Sequence, residues 1–165
     1  MAGGDNRNII VTGEAGKCST VHVWDASTMK SICSFDLGES AKGVAAVGIS
    51  PCMRYVAVAD KANDHKMFIY NVQRKKMLLD VASGGNMVTC IQWSKKKDDL
   101  RFVAVNTQNI QFWNPADASK KLFRPGTFGA GGKFKPTAFN CATFDDDGIC
   151  YSGGKDGGVY IWDQK

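Results

Sequence analysis

The chain has 165 residues, a formal charge of +5, 44% hydrophobic residues and 22% charged ones. That length fits one domain with a sizeable core, and the apolar share excludes wholesale disorder. The charge excess falls short of the basic stripe of a dedicated nucleic-acid binder, and no apolar run approaches the roughly 20 residues of a membrane helix.

Residues 1–7 are polar and glycine-rich, with no basic segment leading into an apolar one, so no secretory signal is read there. They are expected to be a disordered or appended N-terminus. From Asn8 onward the chain reads as short apolar runs bounded by turn-formers. NIIVTG at Asn8, VHVWDA at Val21 and SICSFDL at Ser31 come first. VAAVGIS at Val44, YVAVAD at Tyr55, MFIYNV at Met67 and MLLDVAS at Met77 follow. The third group is VTCIQWS at Val88, FVAVNT at Phe102, IQFWNP at Ile110 and KLFRPG at Lys121. The last is AFNCATF at Ala138, ICYSGG at Ile149 and VYIWDQ at Val159. Val-, Ile- and aromatic-rich runs at this spacing predict an all-β chain, and no segment sustains a helical apolar stripe.

Trp24, Tyr70, Trp113 and Trp162 recur in matching contexts, each followed at once by Asp or Asn. A repeat of roughly 40–45 residues with four strands per unit is the pattern of a propeller blade. Named a to d from the axis outward, the strands read bcd, abcd, abcd, abc. The expected units are a partial blade at 8–37, blades at 44–83 and 88–125, and a partial blade at 138–163. Three and a half blades do not close a ring by themselves. The open sheet edges are expected to meet the remaining blades of a longer propeller or a second copy.

These motifs resemble WD repeats. In SGGKDGGVYIWD, Ser152, Asp156 and Trp162 match three members of that family's Ser/Thr, Asp, His, Trp hydrogen-bond network, while the His has no counterpart. Trp24 and Trp113 occupy the Trp position elsewhere, Tyr70 replaces it, and Asn106-Thr107-Gln108-Asn109 replaces the Asp-centred turn. Along nearly its whole length the chain is similar to the first propeller, downstream of the HELP motif, of the echinoderm microtubule-associated-protein-like family. The residues that carry this are Ile9 to Gly13, Val21 to Met29, Val58 to His65 with its Asn63-Asp64-His65 triplet, Ile110 to Asn114 and Ser152 to Asp156. The resemblance implies that Asp64 and His65 shape a bend. It also implies a non-catalytic scaffold that binds tubulin or microtubules as part of a longer chain, in the cytoplasm and on the cytoskeleton. The alternative is a generic WD-repeat adaptor for a peptide or protein without a cytoskeletal role.

No catalytic, cofactor-binding or metal-binding residue emerges. A phosphate loop needs Gly-x-x-x-x-Gly-Lys followed by Ser or Thr, and both Gly16-Lys17 and Gly132-Lys133 fail twice. Asp145-Asp146-Asp147-Gly148 reads as a hairpin turn rather than a calcium loop. His22 and His65 have no convergent nucleophile or acid. The six cysteines, at 18, 33, 52, 90, 141 and 150, form no C-x-x-C pair, and most read as small buried hydrophobes in a reducing compartment.

The charge is more informative. In antiparallel blades the a–b and c–d hairpins share one face. Arg74, Lys75 and Lys76, Lys95, Lys96 and Lys97, and Lys120 and Lys121 therefore project together, along with Lys30 and Arg54 and against Asp98, Asp99, Asp117 and Asp145 to Asp147. That face carries about +5, the opposite one about +1. It is a candidate surface for an acidic partner such as tubulin. Nucleic acid is disfavoured, because Trp93, Phe112 and Trp113 read as packed strand residues rather than stacking platforms. The loop from Gly126 to Pro136, with Phe128, Lys133, Phe134 and Lys135, is expected to be mobile or to fold its aromatics onto the adjacent blade.

Overall fold

The computed structural model describes residues 8–116, 122–128 and 137–163. Their strands form four antiparallel sheets. The first has the order β1-β2-β3 (Ile9–Gly13, Thr20–Asp25, Lys30–Asp36). The second is β4-β5-β6-β7 (Val44–Ile49, Tyr55–Asp60, Lys66–Asn71, Lys76–Ala82). In the third, β8 (Val88–Trp93), β9 (Phe102–Asn106), β10 (Ile110–Trp113) and β11 (Phe123–Pro125) pair in sequence order. The fourth is β12-β13-β14 (Phe139–Phe144, Cys150–Gly154, Val159–Trp162). The predicted all-β, partial-propeller organisation is what the sheets show.

The sheets are stacked face to face. Val21, Val23 and Phe35 of the first meet Val56, Val58, Phe68 and Tyr70 of the second. Ala57, Ala59, Met67 and Ile69 on the second sheet's other face meet Trp93, Phe102, Ala104 and Trp113 of the third. Val103, Val105 and Ile110 then meet Phe139, Phe144, Cys150 and Trp162 of the fourth. Alternate residues of β5 and β9 thus serve two neighbours, which is why these strands are buried almost throughout. The outer sheets are covered on one face only, so β2 alternates and Val159 and Ile161 of β14 are 75% and 69% exposed. Cys141, expected to be buried, is exposed for the same reason, because β12 turns it to the uncovered face.

Two local devices repeat. In sheets two to four the pairing of the first two strands slips at the same point, between Val44 and Ala46, Val88 and Cys90, and Phe139 and Cys141. Each slip is a β-bulge that sharpens the local twist of the inner strand. The Asp or Asn after the repeated aromatic closes the next hairpin. Asp25 Oδ1 accepts from the Ser27 and Thr28 amides at 2.9 and 3.0 Å, Asn71 Oδ1 from Arg74 at 2.8 Å, and Asn114 Oδ1 from Ala116 at 3.3 Å. These are side-chain turns that need a short acceptor at that one position.

The inner strands approach closely. A Cβ on Gly48 of β4 would lie 2.9 Å from Ile91 Cγ2, 3.1 Å from the Ile91 carbonyl oxygen and 3.2 Å from Trp93 Cδ1. Gly48→Val is therefore expected to destabilise the fold by about 1–3 kcal/mol through overpacking. In a thermal melt that reads as a midpoint lowered by roughly 2–4 °C per kcal/mol.

Candidate functional site

The four repeated aromatics occupy equivalent positions on the third strand of each unit; Tyr70, Trp113 and Trp162 face the preceding sheet, while Trp24 lies on the uncovered face of the first. Trp24 pairs with Ile10, Tyr70 with Val56, Trp113 with Phe102 and Trp162 with Cys150. Two residues along the neighbouring strand stand Thr12, Val58, Ala104 and Ser152. Where that residue has a hydroxyl, the indole uses it. Trp162 Nε1 donates to Ser152 Oγ at 2.7 Å in a buried pair, and Trp24 Nε1 donates to Thr12 Oγ1 at 2.9 Å in an exposed one.

Where it does not, the ring finds another acceptor. Trp113 Nε1 donates to Gln111 Oε1 at 3.2 Å, and Gln111 in turn donates to the Ser83 carbonyl at 2.6 Å. The Tyr70 hydroxyl reaches the carbonyl of Asp36 on the neighbouring sheet at 3.2 Å. Burial pushes this phenol up to about 12, so it remains a neutral donor.

Asp156, expected beside Ser152 and Trp162, turns elsewhere. Its Oδ1 accepts from the Gly158 amide at 3.0 Å and its Oδ2 from the Tyr160 hydroxyl. Phe128 packs over this corner, with ring centres 5.6 Å from Trp162 and 5.8 Å from Tyr160.

Asp64 is exposed, and the acid that shapes its turn is the buried Asp60. Asp60 Oδ1 accepts from the amides of Ala62 at 2.7 Å and Lys42 at 3.3 Å. His65 contributes through its backbone, with φ at 42° and its carbonyl accepting from Ser83. Asn106 does for the third sheet what Asp60 does for the second, accepting from Gln108 and Asn109 at 2.9 and 2.7 Å. The signal for Asp60 and Asn106 was their place at the end of the second strand of each full unit.

On the hairpin face, Arg74, Lys75, Lys76, Lys95, Lys96 and Lys97 are all exposed. Lys120, Lys121 and Asp117 lie outside the described residues, as do Lys133, Phe134 and Lys135. The acids divide the face. Asp145 closes its own turn, accepting from Ile149 N at 2.8 Å and the Tyr151 hydroxyl at 3.1 Å. Lys95 Nζ lies 3.4 Å from Asp146 Oδ1, which joins the hairpins of the third and fourth sheets. Asp99 is clamped by Arg101, with Nε 2.9 and 3.0 Å from its two oxygens and Nη2 at 2.8 Å. Positive charge therefore gathers over the second and third sheets, and negative charge over the fourth. Among the described residues no group of His, Cys, Asp and Glu could hold a metal ion, and no helix is long and apolar enough to cross a membrane.

Four stacked antiparallel sheets, each carrying one aromatic followed at once by Asp or Asn, define a partial WD-repeat propeller. Residues 133–163 match the family described as WD domain, G-beta repeat. The chain is 31% identical over 157 residues to the ciliary WD repeat-containing protein ctxp80 of Euplotoides octocarinatus, covering 94% of this chain and 21% of that protein. It is 27% identical over 151 residues to mouse echinoderm microtubule-associated protein-like 3, covering 86% and 16%. It is also 25% identical over 145 residues to the 77 kDa echinoderm microtubule-associated protein of Strongylocentrotus purpuratus, covering 86% and 20%. The chain is a WD-repeat segment similar to the echinoderm microtubule-associated-protein-like proteins, and spans about a fifth or less of the length of these relatives.

Trp162→Phe is expected to leave the buried Ser152 hydroxyl unpaired and to cost about 1–3 kcal/mol. Trp24→Phe should cost less, since that pair is exposed. In chemical denaturation, Trp162→Phe combined with Ser152→Ala should destabilise by less than the sum of the two single changes.

For Asp99, burial pushes the carboxyl up, but the hydrogen bonds from Arg101 outweigh it and hold it below its ordinary 3.8. A lowered carboxyl stabilises the fold above its unfolded value and loses that contribution as pH falls through its folded one. Arg101→Met should thus lower the melting midpoint at pH 7, with the difference from the parent shrinking as pH drops below 3.8.

Proposed function

We propose that this segment is a non-catalytic scaffold that contributes a basic docking face for the acidic surface of microtubules within a longer protein. The observation that supports the reading is the exposure of Arg74, Lys75, Lys76, Lys96 and Lys97 on hairpins of the second and third sheets. Such a set of cations attracts an acidic polymer at long range and loses that attraction as salt rises. The names of the relatives, one ciliary and two microtubule-associated, support this choice of polymer.

The test is co-sedimentation of the full chain with taxol-stabilised microtubules across a salt series. Pelleting at low salt that declines steeply with added salt is expected, as is a several-fold loss for Lys75→Glu combined with Lys96→Glu. A chain that stays in the supernatant at low salt, or a charge-reversed variant that pellets like the parent, would overturn the microtubule reading.

A further inference from the structure

The second and third sheets do not meet along their full depth. Near the hairpin face they part around a cleft of about 160 Å³, lined by Tyr55, Ile69, Leu78, Leu79, Trp93 and Leu100, with Pro115 at its margin. That volume is close to the roughly 150 Å³ that holds a benzene ring and below the roughly 300–1,000 Å³ of small-molecule sites, so it suits a single side chain.

A bulge builds one wall. Ile69 pairs with Leu79 and Tyr70 with Met77, which leaves Leu78 as the extra residue of β7. A bulge re-aims a side chain, and here Leu78 joins Leu79 at the cleft while remaining 47% exposed. Trp93 in the opposite wall is only 2% exposed, and its Nε1 is a buried donor with no partner among the described residues.

Both walls run straight into exposed cations. Lys76 lies two residues before Leu78, and Lys96 three residues after Trp93. Of the acids on this rim, Asp99 is already engaged by Arg101. An apolar slot inside a cationic rim is complementary to an acidic chain that carries one apolar residue. We infer that the cleft between the second and third sheets receives a single apolar side chain from an acidic peptide segment, whose flanking carboxylates meet the hairpin lysines. This rests on the reading of the face as a dock for an acidic partner and adds to it a specific anchor.

The test compares two labelled probes against the full chain by fluorescence anisotropy at low salt: octaglutamate, and the same peptide with one central glutamate replaced by leucine. The leucine peptide is expected to bind about tenfold more tightly despite its lower charge, the gain that burial of one leucine side chain supplies. Leu78→Gln, a change at a half-exposed position, is expected to abolish that preference while leaving octaglutamate binding in place. Equal binding of the two peptides, or a preference that survives Leu78→Gln, overturns the anchor and leaves the basic face standing. Failure of both peptides to bind overturns the anchor and the reading beneath it together.

Discussion

A single antiparallel sheet of three or four strands has too little to bury in water, and the whole of this chain depends on each sheet lying face to face on the next. The repeated aromatic of the third strand is the piece that makes this possible. It points back toward the preceding sheet and fills the space between two twisted surfaces with one large ring. Tyr70 lies against Phe35 of the first sheet with ring centres 4.3 Å apart, and Trp113 joins Met67 and Ile69 of the second in one buried cluster. Burial of a ring brings with it the problem of its polar atom, and each sheet solves that problem separately, with Ser152, Gln111 or the backbone of Asp36.

That separation explains what could be read from the sequence. The aromatic itself, the Asp or Asn behind it and the apolar runs on either side each follow from local chemistry. Strand order and the four-unit frame were therefore legible. The partner of the polar atom is set by residues far away in sequence, as with Tyr70 and Asp36, and no local pattern announces it. Asp64 drew attention because it stands beside a histidine in a family-like triplet, whereas Asp60 was hidden inside an apolar strand, where a buried carboxylate is unexpected. Cys141 sits in a run as apolar as that of Cys90, and only the missing neighbour on its sheet face exposes it.

The basic face shows the same division. Alternation of hairpins, a topological consequence of antiparallel pairing, is what assigns the Arg74–Lys76 and Lys95–Lys97 runs to one side. It does not tell which acids answer which bases. The bidentate Asp99–Arg101 contact and the Lys95–Asp146 contact turn an evenly mixed rim into a basic sector and an acidic one. The cleft beneath that sector depends on a one-residue slip in β7, an event that leaves no trace in residue type.

The two outermost sheet surfaces differ in chemistry. One presents Trp24, His22 and Thr12, tied together by hydrogen bonding and ring contact, and the other presents Val159 and Ile161. A two-fold axis can join only like to like, so it would bury one of these surfaces and leave its opposite bare. Copies that covered both would have to add in a single direction, each turned by the same angle, and such a series ends only when the accumulated rotation brings the last surface round to the first.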